Sequence, residues 1–344
     1  MLGPMSSSPR LRFGVLSTAN IGRNRVNPAL RASRNAELVA VASRDAARAR
    51  EFAEQTSIPR HYGSYEALLD DPEIEAVYVP LPNSMHKEWT IRAAEKGKHV
   101  LCEKPLATTA GDAREMKAAA KASGVVLMEA FMYRFHPRTR RLLELAAGPE
   151  TGEIKVVRSA FTFKLLREGN YRFSPELGGG ALLDLGCYCV DASRLLARSE
   201  PVEAQAFAEW SQKGVDMQLV GSLRFENGVV AQFDCSFLLE RREFVEAAGR
   251  DGAFLSPSET FACTLGETEI VERHGLDPAI RHGVNGDDHY RLMVEHFADV
   301  VRGAASPRHH IDESITNLAA IEALYESARS GGRPVSVERL PPAP

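Results

Sequence analysis

The sequence predicts an α/β chain in two parts. A doubly wound parallel sheet occupies residues 10–130, and an α+β region with a mostly antiparallel open sheet occupies 131–344. Three observations lead there. Up to about residue 128, short wholly apolar runs alternate with helical patterns, and strands apolar on both faces belong in a sheet covered on both sides. Beyond about residue 130, extended segments follow one another with hairpin-type turns. The length of 344 residues suits two domains better than one.

Each element has its own signal. Residues 12–16 read as the first strand, and 37–42, 76–80, 99–102 and 125–128 as the next four. Asp45 can cap a helix reaching about Gln55. Residues 85–96 form another, stopped by Gly97. Thr109-x-x-Asp112 resembles a capping box for a helix to about Ser123. In the second part 154–165, 202–211, 216–225 and 229–238 are extended, the last two joined by Glu226-Asn227-Gly228. Residues 244–248, 261–265 and 268–273 are shorter strands, and helices over 288–302 and 313–329 close the chain. The boundary falls near 129–137, and residues 1–9 form a loose tail.

Composition removes several classes of function. A formal net charge of −4 offers no basic footprint for nucleic acid. The apolar runs are short and broken by charges, so no membrane span is expected. The first residues lack the apolar core of a secretory signal, which leads to the expectation of a cytoplasmic protein with its five cysteines reduced. No Cys-x-x-Cys pair occurs. His289 and His296 sit two helical turns apart, about 10 Å, too far to share one ion. No metal is expected.

The first strand runs into Ser17-Thr18-Ala19-Asn20-Ile21-Gly22. The dinucleotide fingerprint wants Gly-x-Gly-x-x-Gly here. Ser17 and Ala19 replace the first two glycines, but both are small enough to let backbone approach a pyrophosphate at a helix start. The second strand ends in Ser43-Arg44. An Asp or Glu there would take the ribose hydroxyls of NAD. A hydroxyl and a guanidinium fork suit a 2′-phosphate instead, so NADP is favoured over NAD.

Three further segments stand at ends of later strands, where ligands bind in open α/β sheets. They are Pro80-Leu81-Pro82-Asn83-Ser84-Met85-His86, Glu103-Lys104-Pro105, and Glu129 through Tyr133-Arg134 to Pro137. A fourth, Gly178-Gly179-Gly180 followed by Asp184-x-Gly186-x-Tyr188, belongs to the second part. In this order the motifs resemble the glucose–fructose oxidoreductase/inositol dehydrogenase (Gfo/Idh/MocA) family, over nearly the whole chain. The Tyr133-Arg134 and Asp184–Tyr188 phrases are most similar to the branch of NADP-linked aldose dehydrogenases and dimeric dihydrodiol dehydrogenases.

That resemblance implies a hydride transfer between NADP and a sugar, polyol or cyclic diol. Oxidation of an aldose at C1 is the preferred version. A trans-dihydrodiol or other cyclic diol substrate, and reduction of a ketose or anhydro-sugar, stay open, as does a non-catalytic dinucleotide-binding regulator. Lys104, Tyr188 and Asp184 are the implied catalytic residues. Leu81, Asn83, His86, Glu103 and Arg134 are implied on the cofactor side, with Lys104, Tyr133, Asp184 and Tyr188 at the substrate. Tyr188 stands where many relatives have His, which fits Tyr as acid/base. A free Tyr has a pKa of about 10, and a neighbouring lysine cation would lower it. Relatives cover the second sheet with another subunit, so a homodimer or homotetramer is expected.

Overall fold

The computed structural model describes residues 9–165, 169–263 and 265–339. The tail at 1–9 therefore lies outside the described residues apart from Pro9. Six parallel strands form the first sheet: β1 Leu11–Leu16, β2 Ala36–Ala42, β3 Arg60–Tyr62, β4 Ala76–Val79, β5 His99–Cys102 and β6 Leu127–Glu129. Their order, β3-β2-β1-β4-β5-β6, is doubly wound about β1 and β4. Helices α1 Asn27–Ala32, α2 Ala46–Gln55, α3 Tyr65–Leu69, α4 His86–Glu95 and α5 Ala110–Ala122 connect them. Asp45 caps α2 by accepting from the Arg48 N–H at 3.0 Å. Thr109 caps α5 in the same way, through the Asp112 N–H at 3.0 Å. Asp112 does not complete a capping box; its carboxylate takes Lys87 at 2.8 Å instead.

After α6 Pro137–Ala146, a second sheet is built on β7 Ile154–Thr162. Next come the buried helix α7 Cys187–Ala197 and then β8 Pro201–Trp210, β9 Asp216–Phe225, β10 Val230–Ser236, β11 Arg242–Gly249, β12 Ala253–Ser256, β13 Glu267–Arg273 and β14 Ile280–Asn285. Helices α8 His289–Val301 and α9 Ile311–Arg329 precede a short β15 Val335–Ser336. The order is β14-β13-β12-β11-β7-β10-β9-β8-β15. All neighbours are antiparallel except β7 and β10. The strand expected over 261–265 is not there: Phe261 to Cys263 are irregular chain, and Thr264 lies outside the described residues. Glu243 explains this locally, because its buried carboxylate takes the Phe261 and Ala262 N–H groups at 3.2 and 2.9 Å.

The last two helices tie the sheets together. α8 returns to the first sheet, where Phe297 meets Phe13 at 5.6 Å between ring centroids. Asp299 accepts from Asn35 at 2.7 Å. α9 lies along α5, with Glu322 accepting from the Ala110 N–H. The turns that follow β4 and β5 meet the second part, through Asn83 with Gly178 and Lys104 with Asp184.

Candidate active site

β1 leads through Ser17 to Gly22 into a helix whose first turn is wide: the Asn27 N–H bonds the Gly22 carbonyl, five residues back. Wide turns of this kind collect at functional sites. The Ser17 hydroxyl accepts from the Ala19 N–H at 2.8 Å and donates to Pro80 O at 3.3 Å, which fixes the turn against the end of β4. Thr18, Ala19 and Ile21 are half-buried and Asn20 is exposed. A Cβ on Gly22 would meet its nearest neighbour only at 3.7 Å. The chain's own packing does not demand glycine there, whereas close approach of a phosphate would.

At the end of β2, Ser43 is buried and its hydroxyl accepts from the Asp45 N–H at 3.3 Å. Arg44 is exposed beside it. Arg48, in the first turn of α2, reaches back so that its Nε donates to Thr18 Oγ1 at 2.8 Å. No carboxylate pairs with Arg44 or Arg48 among the described residues. Two guanidinium groups thus converge on one corner without a counter-ion.

β5 delivers Lys104 to the cleft. Its Nζ donates to the Asp184 carbonyl at 2.7 Å and to Asp184 Oδ1 at 3.0 Å. An ammonium has three N–H groups, so one is left for a ligand. Arg172 Nε holds Asp184 Oδ2 at 2.6 Å. One carboxylate is therefore shared by two cations, and the cluster carries a net positive charge. Burial would raise the Asp184 pKa, but Arg172 and Lys104 outweigh it and hold the carboxyl well below its usual range. Burial would lower the Lys104 pKa, but Asp184 outweighs that and keeps the ammonium charged well above its usual range. Asp184 itself sits in a second wide turn, Leu182–Gly186, that leads into α7.

Tyr188 stands under Lys104, whose Nζ lies 4.9 Å from the ring centroid. Its hydroxyl points away to Met132 Sδ at 3.3 Å, inside a ring of Phe131, Tyr133, Phe161 and Phe261. Burial raises its pKa well above the usual value rather than Lys104 lowering it. Tyr188 thus meets the Lys104 ammonium through its ring, a cation–π contact, while its hydroxyl sits on Met132 Sδ. The Tyr133 hydroxyl donates to buried Asp191, and Arg134 pairs with Asp191 and, at 2.7 Å, with Glu313. Both are spent on joining the end of β6 to α7 and α9. His86 is fully buried, with its ring nitrogens 2.9 Å from the Leu81 and Pro105 carbonyls. It stitches two cleft turns together from below.

Asn83 donates to Gly178 O at 2.8 Å and so joins the two parts across the cleft. Leu81 is buried, and the Glu103 carboxylate accepts from the Tyr78 hydroxyl. Arg48, Arg172, Tyr171 and Tyr290 were missed by sequence reasoning. Arg48 carried a signal, one helical turn beyond Arg44. Arg172 and Tyr171 had none, since only the fold brings their turn to Asp184. Tyr290, at the start of α8, is brought near Glu103, which together with burial raises its hydroxyl pKa.

A doubly wound sheet, a small-residue turn and a lysine–carboxylate pair at the strand ends define a dinucleotide-linked oxidoreductase. The chain belongs to the GFO/IDH/MocA oxidoreductase family. Residues 11–131 match the family's NAD-binding Rossmann fold, and 139–255 match its C-terminal domain. A D-xylose 1-dehydrogenase (NADP(+)) of Haloferax volcanii is 39% identical over 329 residues, covering 93% of this chain and 98% of that one. A 3-ketoreductase from Actinomadura kijaniata, solved with NADP and TDP-benzene, is 30% identical at a TM-score of 0.87, covering 92% of this chain and 98% of the other. That neighbour has also been solved with one lysine and with one tyrosine replaced, and the two stand as far apart in its sequence as Lys104 and Tyr188 do here. An aldose–aldose oxidoreductase from Caulobacter crescentus, solved with glycerol, is 26% identical at a TM-score of 0.87, covering 95% and 99%.

Proposed function

We propose that the chain transfers a hydride between NADP and a hydroxyl- or carbonyl-bearing carbon of a cyclic sugar, with oxidation of an aldose at C1 to a lactone preferred. The observation that carries this reading is the half-buried Lys104 ammonium, fixed by Asp184 through two N–H groups and free to donate the third. The similarity to the NADP-dependent xylose dehydrogenase supports the choice of sugar and cofactor.

The residues present fit the cofactor. The Ser17–Gly22 turn would hold the pyrophosphate, and Arg44 and Arg48, which have no carboxylate partner among the described residues, would hold a 2′-phosphate, with no acid at Ser43 to repel it. When bound, NADP supplies the nicotinamide that accepts or returns the hydride. Lys104 donates its remaining N–H to the reacting oxygen. In oxidation the O–H proton would pass to solvent water while the ammonium stabilises the charge developing on that oxygen. In reduction the same ammonium would hydrogen-bond the carbonyl oxygen while water returns the proton. Asp184 orients the lysine through both its carbonyl and Oδ1, and Arg172 stops the carboxylate from turning.

Absorbance at 340 nm, followed with NADP and NAD against aldoses, polyols and cyclic diols starting with D-xylose, tests this. Lys104→Ala should bind NADP with nearly unchanged affinity and lose on the order of 10³-fold in turnover. Full activity in that variant would overturn the mechanism. The 3-ketoreductase neighbour favours reduction of a keto-sugar as a second reading, and the same panel run with NADPH separates the two. A homo-oligomer formed through the nine-stranded sheet accompanies this reading, because the cross-strand neighbours Phe207 and Val220 are 61% and 49% exposed.

A further inference from the structure

The turn that carries Arg172 is built, not incidental. Asn170 Oδ1 accepts from the Arg172 N–H at 3.1 Å. The Phe173 ring meets Phe237 edge-on at 6.0 Å. The Arg172 carbonyl accepts from the Gly180 N–H at 3.0 Å. Gly179 presses on the turn so closely that a Cβ there would stand 2.3 Å from the Arg172 carbonyl oxygen. Gly178, at φ +73°, packs on Asn83 and Thr108 of the first part, where a Cβ would come within 2.9 Å of each. The three glycines form a mould that seats residues 171–173 against the cleft.

Tyr171 stands at the outer end of this seated turn. It is 37% exposed. The Arg172 guanidinium lies 4.8 Å from its ring centroid, and the same guanidinium holds Asp184. Tyr188, Lys104, Asp184, Arg172 and Tyr171 therefore form one connected row of ring, cation, carboxylate, cation and ring. The Tyr188 end is buried and the Tyr171 end is open. Burial, followed by Asp184, raises the Tyr171 hydroxyl pKa, so the phenol stays neutral.

We propose that Tyr171 is the platform for the substrate ring: the exposed part of its ring lies against the apolar C–H face of a cyclic sugar, beside the Lys104–Asp184–Arg172 row that addresses the hydroxyls. An aromatic face is electron-rich and apolar, and it complements the C–H face of a pyranose. An open-chain polyol has no such flat face, so the platform selects cyclic substrates. Arg172 is a positioning residue in this arrangement, acting through Asp184 and the Tyr171 ring. The inference rests on the hydride-transfer reading above.

Steady-state kinetics with NADP and the aldose that the wild type turns over fastest, D-xylose first, test the platform in Tyr171→Ala and Tyr171→Phe. The ring is the working part, so the sugar KM of Tyr171→Ala should exceed that of Tyr171→Phe by about tenfold. The fall in kcat should be smaller than the rise in KM, and KM for NADP in Tyr171→Ala should match the wild type, which also shows that the variant is folded. Equal sugar KM values in the two variants overturn the platform while leaving the hydride-transfer reading intact. Absence of wild-type turnover with any aldose or cyclic diol overturns that reading and the platform with it.

Discussion

Arg44 and Arg48 show what one side chain decides. Both are arginines at a strand-end corner with no carboxylate partner among the described residues, and a guanidinium without a counter-ion is a ready site for phosphate. Loss of one charge-assisted bond pair costs about 1.5–3 kcal/mol. Arg44→Ala should therefore raise KM for NADP by about 10- to 100-fold, with a further rise when Arg48→Ala is added. KM for NAD should barely move, because NAD lacks the phosphate. Parallel titration of both cofactors checks this, and equal losses would place the arginines elsewhere. Arg44 was legible because it follows a strand end directly. For Tyr133 and Arg134 the sequence left the partner open, because a polar pair after a strand looks the same whether it meets a ligand or, as here, a buried carboxylate such as Asp191.

The start of α7 shows how an element is positioned. Asp216, on β9, accepts the Leu182 N–H and the Tyr325 hydroxyl, each at 2.7 Å. Gly180 lets this carboxylate in, since a Cβ there would stand 2.1 Å from Asp216 Oδ1. Burial pushes the Asp216 pKa up to about 6, outweighing the Leu182 and Tyr325 bonds. A raised carboxyl pKa means that between about pH 4 and 6 the folded chain holds a proton the unfolded chain has released. This group thus favours folding as pH falls through 6 and opposes it above. Asp216→Asn, neutral throughout, should equal or exceed the wild type in stability at pH 8, by up to about 3 kcal/mol, and about half of that advantage should be gone at pH 5. Thermal melts of both proteins at the two pH values measure the difference. A lower Tm for the variant at pH 8 would contradict the sign. α7 itself left no helical period in the sequence, because almost every residue from Cys187 to Ala197 is buried and no polar face exists to set the rhythm.

For the whole molecule, the two sheets are held as one body by helices distant in sequence. α8 packs on β1, and α9 packs on α5. The nine-stranded sheet has exposed apolar residues such as Phe207, Val220 and Val230. If that face is covered by a second copy, light scattering after size exclusion should give a mass at or above twice 37.7 kDa. Phe207→Glu should then shift the mass toward the monomer while leaving the first sheet folded. A monomeric wild type at micromolar concentration would sink the oligomer. Among the described residues no helix is long and apolar enough to cross a membrane.

By itself, the sequence determined the parallel sheet, most strand positions, the small-residue turn after the first strand and the place of Lys104 at a strand end. Those features are local: apolar runs of strand length, small residues after the first strand, and a lysine directly after a strand end. Only the tertiary structure decided what Lys104 works with. Asp184 lies 80 residues away and Arg172 reaches it from a turn with no regular pattern. The Tyr188 hydroxyl turns into an aromatic cluster that no spacing rule foretells. Burial and charge pairing set protonation and orientation, and both depend on neighbours that are far apart along the chain.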